Sequence, residues 1–145
     1  MKAYLLVLAG TLCGAAVHAH NSPVGLWQSV DDSTKKPRAE VRISEAGGML
    51  SGRVERSLMP STGGGVLRCV LCTDERRDQP LIGLEIIRRL APSQDAQTWE
   101  GGEILDPDSG KTYRLRVRLR DSGRLLEVRG FVGPFYRNQT WVRLP

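Results

Sequence analysis

The feature that most constrains the fold is a strict alternation of side chains between Tyr113 and Arg120. The apolar members of the run are Tyr113, Leu115, Val117 and Leu119. The cationic members are Arg114, Arg116, Arg118 and Arg120. A period of two places alternate residues on opposite faces of a β-strand. The run is therefore predicted to be a strand with its apolar side chains in the core and its arginines in water. A cationic ligand-binding strip is the alternative interpretation of the arginines.

The residues on either side of this strand predict two hairpins. Before it, the sequence DPDSG at 106–110 supplies an aspartate, a proline and a glycine at positions where tight turns use them. After it, a second strand is predicted from Leu125 to Phe131. If Leu119 faces Leu126 and Val117 faces Val128, that register places Arg118 opposite Glu127 on the outer face.

The whole chain after residue 19 shows strand signals separated by turn residues, and no convincing helix. Eight strands are predicted, over 25–30, 39–44, 50–58, 84–90, 98–105, 112–120, 125–131 and 139–144. Short strands joined by tight turns favour an antiparallel meander. An eight-stranded meander can close into a barrel, which removes exposed edges, whereas a β-sandwich is the competing architecture.

The first nineteen residues are predicted to be a secretory signal peptide. Lys2 supplies a positive start, residues 4–16 an apolar stretch, and 17–19 a small-residue cleavage site after Ala19. The apolar stretch is shorter than the roughly 18 residues that cross a bilayer, and the residues before Cys13 do not fit lipid attachment. We therefore expect one domain, 20–145, in the periplasm or secreted, with no membrane span in the mature protein.

Cys69 and Cys72 are the two cysteines outside the predicted signal peptide. In an oxidising compartment, the favoured interpretation is a local disulfide that orders the surrounding loop. Its short ring would stabilise the fold by only about 2 kcal/mol. A reactive thiol pair is the alternative, because nearby positive charge favours thiolate. The arginines concerned are Arg68, Arg76 and Arg77.

The side chains available for catalysis or metal binding are few. The predicted mature chain has one histidine, His20, at its start, which effectively excludes a histidine-activated nucleophile. It also argues against a zinc site on the cysteines, because two more ligands would be needed. Glu100 and Glu103 flank Gly101-Gly102, which we interpret as a bulge or a close approach of strands. Asp106 and Asp108 are expected to bond their own turn. No catalytic residue, metal or cofactor is therefore predicted.

The net charge of +5 does not by itself predict nucleic-acid binding. The excess positive charge is distributed over many predicted strands, and no aromatic-rich basic motif accompanies it. A solvated basic surface is the favoured interpretation.

Two motifs at the ends of the domain resemble the signature of lipocalin-like barrels. Gly25-Leu26-Trp27 opens the first predicted strand and Trp141-Val142-Arg143 lies in the last. In such barrels the first-strand tryptophan packs beneath the last-strand arginine, as a cation–π pair can. Trp27 and Arg143 are therefore assigned structural roles.

Further motifs extend the resemblance along almost the whole domain. They are GLWQSVDD at 25–32, KPRAEVRI at 36–43, CVLC at 69–72, RRDQPLIGLEI at 76–86, WEGGEILDPDSGKTY at 99–113, VRGFVG at 128–133 and QTWVR at 139–143. In order and spacing they resemble the exported bacterial family named domain of unknown function 2147, whose members are lipocalin-like. The resemblance implies an all-β, antiparallel, eight-stranded calycin-type barrel with an interior cavity.

The resemblance also implies capture of a small apolar or amphipathic molecule, without an assigned catalytic residue. Candidate lining residues are Leu84, Ile86, Trp99, Tyr113, Leu115, Phe131 and Phe135. The segment 63–79 would cover the open end. A packed barrel acting as a protein-interaction or envelope-stress module is the alternative, and a thiol-redox protein using Cys69 and Cys72 is the second alternative.

Overall fold

A computed structural model describes residues 20–60, 63 and 65–145 of the chain. The predicted signal peptide, its cleavage point after Ala19 and Cys13 lie outside the described residues. The strands are β1 Gly25–Val30, β2 Pro37–Ala46, β3 Met49–Ser57, β4 Glu85–Pro92, β5 Thr98–Asp106, β6 Lys111–Arg120, β7 Leu125–Val132 and β8 Phe135–Arg143. A single 3₁₀ turn, Asp121–Gly123, joins β6 to β7.

The eight strands form one closed antiparallel barrel, and this excludes the sandwich. Each strand pairs with its neighbours in sequence, and β8 returns to pair with β1. The closing seam contains two residue pairs, Trp27 with Arg143 and Gln28 with Val142. Every strand therefore has two neighbours, which satisfies the edge groups that an open sheet exposes. No helix among the described residues is long and apolar enough to cross a membrane.

The register predicted for β6 and β7 is confirmed. Leu119 pairs with Leu126, Val117 with Val128, and Arg118 with Glu127. The four aliphatic residues of these pairs are buried. The alternation in β6 thus places its arginines on the outer face of the barrel.

Those outward arginines have individual partners. Arg116 Nε donates to Glu100 Oε2 at 3.0 Å, and Arg120 Nη2 donates to Glu127 Oε2 at 3.2 Å. Arg118 turns away from the cross-strand Glu127 to Asp95, at 3.6 Å, and Arg114 lies over the ring of Phe131 at 5.4 Å from its centroid. Ion pairs as exposed as these contribute about 0–1 kcal/mol each. They neutralise the arginine face without holding the barrel together.

The pair Gly101-Gly102 is both a bulge and a close approach of strands. The register of β5 on β6 shifts between Glu100 and Gly102, and Gly101 has φ of 79°. A β-carbon at Gly102 would overlap the carbonyl oxygen of Arg88 on β4. The bulge bends β5 where the barrel wall curves.

The predicted strand boundaries agree to within two residues, except for the start of β8. That strand begins at Phe135, four residues before the predicted Gln139, because Gly133 and Pro134 alone form the turn after Val132. The four additional residues of β8 place Phe135 and Arg137 beyond the packed part of the barrel. The longer hairpin forms part of the open end.

The barrel is solidly packed at one end. The largest buried side chains there include Trp27, Ile43, Leu90 and Leu126. Arg143 covers this floor from outside, with its guanidinium carbon 4.2 Å from the Trp27 ring centroid. The opposite end, where β1 leads to β2, β3 to β4, β5 to β6 and β7 to β8, is the open one.

Candidate functional site

A cavity of about 450 Å³ enters the barrel at the open end. This is within the range of roughly 300–1,000 Å³ that small-molecule sites occupy. Its wall is mainly apolar and is contributed by strands all round the barrel. The apolar side chains that reach it include Val41, Val54, Ile86, Ile104, Val128 and Trp141. The core of the barrel therefore does not fill its interior completely.

Three of the predicted lining residues line this cavity: Ile86, Tyr113 and Phe135. Ile86 is buried, Tyr113 is half-buried, and Phe135 is 76 % exposed at the rim. The exposed ring of Phe135 therefore presents an apolar surface to solvent at the entrance of the cavity. The cavity thus passes from a buried aliphatic interior to an aromatic rim.

The other four predicted lining residues lie elsewhere. Leu84, Trp99 and Leu115 are buried in the core, away from the cavity. The inward position expected for Phe131 is wrong, because Phe131 pairs with Arg114 on the outer face and packs there against Tyr136. The inward residue at this level of β7 is Gly130.

Sequence reasoning missed several polar residues of the cavity, chiefly Arg38, Arg137 and Gln139. Arginines in a strand are usually outward, so the prediction assigned none to the interior. A signal was nevertheless present in β8, because counting back in twos from the buried Trp141 gives Gln139, Arg137 and Phe135. These residues form one inward row that becomes more exposed towards the mouth.

Arg38 ties two turns together across the mouth. Its guanidinium pairs with Asp31 at 3.3 Å and with Asp108 of the β5–β6 turn, and it also contacts Met59 Sδ at 3.3 Å. Hydrogen bonds from Ser33 and Thr34 lower the pKa of Asp31, which keeps this carboxylate charged. The positive charge of Arg38 is thus matched by two carboxylates.

Residues 65–84, which precede β4 and are called the disulfide loop below, cover one side of the open end. Cys69 and Cys72 form a disulfide, and both residues are buried. The loop lies against the β5–β6 turn, where a β-carbon at Gly110 would overlap the carbonyl oxygen of Leu71. The turn and the disulfide loop are therefore in close contact, with no room for a side chain at position 110. Pro107 of the same turn also lines the cavity.

A buried arginine fastens this loop to the barrel. Arg76 is 2 % exposed, pairs with Asp74 at 2.6 Å and donates from Nη1 to the carbonyl oxygen of Glu85 on β4 at 2.9 Å. Hydrogen bonds from Arg76 lower the pKa of Asp74 to about 2. The charge of Arg76 is engaged by this carboxylate rather than directed at the cysteines.

The acidic residues considered for catalysis are engaged in structural contacts. Glu100 pairs with Arg116 on the outside of the barrel, and Glu103 pairs with Arg89 at 2.9 Å. Asp106 accepts from the Asp108 N–H and from the Ser109 hydroxyl of its own turn. Glu100 and Glu103 lie away from the cavity, and Asp106, which lines it, is engaged by its own turn. The arrangement can enclose an apolar molecule.

The comparisons with known proteins identify the family. Residues 25–143 match domain of unknown function 2147, described as an uncharacterized protein conserved in bacteria. The chain belongs to this family. This match extends over all eight strands of the barrel, so the domain of unknown function 2147 is the barrel itself. No curated protein matches the sequence.

Comparison with a solved structure identifies the fold of this domain. A protein of Helicobacter pylori, described as belonging to the lipocalin family, superposes with a TM-score of 0.71. The sequences are 21 % identical, and the match covers 86 % of this chain and 84 % of that one. At this identity the similarity establishes a lipocalin-like fold.

Proposed function

We propose that this protein is an exported, non-enzymatic binding protein that holds a small apolar or amphipathic molecule in its barrel cavity. The observation that carries the proposal is the apolar cavity of about 450 Å³ open at one end. A barrel stabilised only by its core would gain from filling that space, because an unfilled cavity costs stability in proportion to its volume. A cavity retained beside a packed floor is typical of a ligand site.

Export is supported by the sequence of residues 1–19 and by the disulfide. Disulfides persist in oxidising compartments. N-terminal sequencing of the protein from a fractionated bacterial cell tests this part: a mature protein that starts at His20 in the periplasm supports it, and full-length protein in the cytoplasm contradicts it.

Binding is tested by extracting the gently purified protein with organic solvent and analysing the extract by mass spectrometry, with native mass spectrometry of the intact protein beside it. We expect a reproducible bound mass that the extraction removes. The extracted protein is then titrated with the uncharged fluorescent probe N-phenyl-1-naphthylamine. An empty protein that also fails to enhance probe fluorescence would contradict the proposal.

A protein-interaction module is the second candidate, and one observation favours it. The rim carries exposed apolar side chains on the disulfide loop and on the β7–β8 hairpin. They include Val66, Val70, Leu71 and Phe135. Exposed apolar surface of this kind also marks protein interfaces. A partner that binds the empty protein and is lost on Leu71→Ser, with probe binding unchanged, would favour this candidate.

The thiol-redox alternative receives less support. Cys69 is fully buried and Cys72 is 2 % exposed, whereas reactive cysteines are partly exposed beside unmatched positive charge. The buried arginine of the disulfide loop, Arg76, is paired with Asp74. A redox role would need the loop to leave the β5–β6 turn before either sulfur could react.

A further inference from the structure

The polar groups around the cavity divide into those with partners and those without. Most have partners within the protein. Ser29 Oγ donates to the Ala39 carbonyl oxygen at 3.2 Å, and Ser57 Oγ accepts from the Met59 N–H at 3.4 Å. The carboxylates of Asp106 and Asp108 are engaged by their own turn and by Arg38 respectively. These groups offer little to a ligand.

Three donors that line the cavity have no hydrogen-bond partner among the described residues. They are the Tyr113 hydroxyl, the Arg137 guanidinium and the Gln139 amide nitrogen. The orientation of Gln139 is fixed by Trp141, whose indole N–H donates to Gln139 Oε1 at 3.0 Å, so the amide nitrogen remains as the available donor. The three polar groups left available to a ligand can therefore all donate hydrogen bonds, and one of them, Arg137, is positively charged.

The three donors lie in one part of the wall. Arg137 pairs across the strands with Gly130, and a β-carbon at Gly130 would lie 3.4 Å from Tyr113 Cβ. Gln139 follows Arg137 on the inward face of β8. Because Gly130 has no side chain, the Tyr113 side chain can lie close to the backbone of β7 beside Arg137. The three residues therefore lie on neighbouring strands of the same cavity wall.

We propose that the ligand is an amphiphile with an anionic head group, held at the mouth by Arg137 with Gln139 and Tyr113, while its apolar tail fills the cavity. The proposal rests on the proposed binding function and names its ligand class. Carboxylate and phosphate head groups both fit, since each accepts the hydrogen bonds that guanidinium, amide and phenol donate. Val41, Ile86 and Val128 supply the apolar wall below.

The neighbouring carboxylates leave this charge available. Arg38, the other cavity arginine, has Asp31 and Asp108 as partners. Asp32 is near enough to interact electrostatically with Arg137 but makes no ion pair with it. Burial raises the pKa of Asp32, whose Oδ2 atom is buried without a hydrogen-bond partner. The guanidinium of Arg137 thus has no carboxylate partner among the described residues.

The test measures displacement of N-phenyl-1-naphthylamine by dodecanoate, dodecyl phosphate and dodecanol, which share one chain length and differ in the head group. Intrinsic tryptophan fluorescence provides a second readout, because Trp141 lines the cavity. We expect at least one anion to bind about tenfold more tightly than the alcohol at low salt, a difference equivalent to one charge-assisted hydrogen bond. The ratio should fall as salt is added, because the site is open to solvent.

Arg137→Gln should remove this preference by weakening the binding of the anions about tenfold more than that of dodecanol, and Arg137→Lys should keep most of it. Arg124→Gln, at an exposed arginine of the closed end, is the matched control and should change neither. Preference for dodecanoate alone or for dodecyl phosphate alone identifies the head group. Equal binding of all three compounds overturns the anionic head group and leaves the binding function intact. Failure of every compound and of the probe overturns both.

Discussion

The guanidinium of Arg143 stacks on the indole of Trp27 and donates to three backbone carbonyl oxygens at the closed end of the barrel. Its Nε donates to Gly123 at 2.7 Å, Nη1 to Val24 at 2.8 Å and Nη2 to Ser22 at 2.7 Å. Trp27 is fully buried and donates its own N–H to the Pro23 carbonyl oxygen at 2.7 Å. Two side chains from the first and last strands thus fix the N-terminal segment and the 3₁₀ turn to the floor.

Replacing Arg143 should therefore destabilise the whole domain. Arg143→Met keeps the unbranched stem but loses the hydrogen bonds and the cation–π contact, and we expect a loss of about 2–4 kcal/mol. Arg124→Met is the control, because Arg124 is exposed and pairs only within its own turn with Asp121. Urea unfolding followed by tryptophan fluorescence measures both. Equal stability of the two variants would remove the structural role assigned to Arg143.

Arg76 should stabilise the disulfide loop. Arg76→Met leaves the Glu85 carbonyl oxygen and Asp74 without their donor, and breaking a buried ion pair costs about 3–5 kcal/mol. Because Asp74 is partly exposed, we expect about 2 kcal/mol, with faster hydrogen exchange concentrated in residues 66–84. Arg77→Met, at a side chain that is 69 % exposed, should change neither. A uniform change in exchange over all eight strands would contradict local anchoring.

The same pair should make stability depend on pH. The pKa of Asp74 is about 2 in the folded protein and 3.8 ordinarily, so the pair stabilises the fold fully above the ordinary value. This contribution is lost as pH falls from about 4 to about 2, since protonation then favours the unfolded chain. Asp74→Asn should flatten part of the decrease in unfolding free energy measured over that interval.

A double-mutant cycle isolates this effect from the other carboxylates. In the Arg76→Met background, Asp74→Asn should produce a smaller further change in the pH dependence, because the side-chain hydrogen bonds from Arg76, the largest cause of the lowered Asp74 pKa, are already absent, while the backbone N–H of residue 76 still donates to Asp74 Oδ1. An unchanged effect in that background would assign the pH dependence to another group.

Gly130 provides a way to fill the cavity without disturbing the core. A β-carbon there meets Tyr113 Cβ at an ordinary contact distance of 3.4 Å, so Gly130→Ala should retain probe affinity within about twofold. Gly130→Leu places a branched side chain in the cavity and should weaken N-phenyl-1-naphthylamine binding about tenfold or more. Thermal unfolding of both variants checks that the barrel remains intact. Unchanged affinity in Gly130→Leu would place the bound probe outside the cavity.

The sequence predicted the architecture and one register because its strongest signals are local. Alternation in β6, a short connection and alternation in β7 leave a single pairing that buries Leu119 with Leu126. The predicted disulfide likewise needed only two cysteines close in sequence and an oxidising compartment.

The site was harder to predict because alternation shows which residues face inward, but it does not show which of them lie in the packed core and which line the cavity. Leu115 and Tyr113 belong to the same inward row of β6, yet only Tyr113 reaches the cavity. Phe131 and Gly130 are neighbours in β7 and so lie on opposite faces of the barrel wall. The prediction placed Phe131 inside because aromatic residues usually belong to a core, whereas the inward residue is Gly130. Arg38 and Arg137 line the cavity, although arginines in a strand usually face solvent. Their position follows from the open end of the barrel, where inward side chains still reach water.

The pairing of β1 with β8 determines when the barrel can be completed. Trp27 and Arg143 are separated by almost the entire domain, and contacts between distant parts of a chain carry the largest loop-closure entropy and slow folding. All other strand pairs are between sequence neighbours and can form before the last strand is present. A chain without β8 would consequently have two open sheet edges, so the final nine-residue strand controls the passage from an aggregation-prone sheet to a protected barrel.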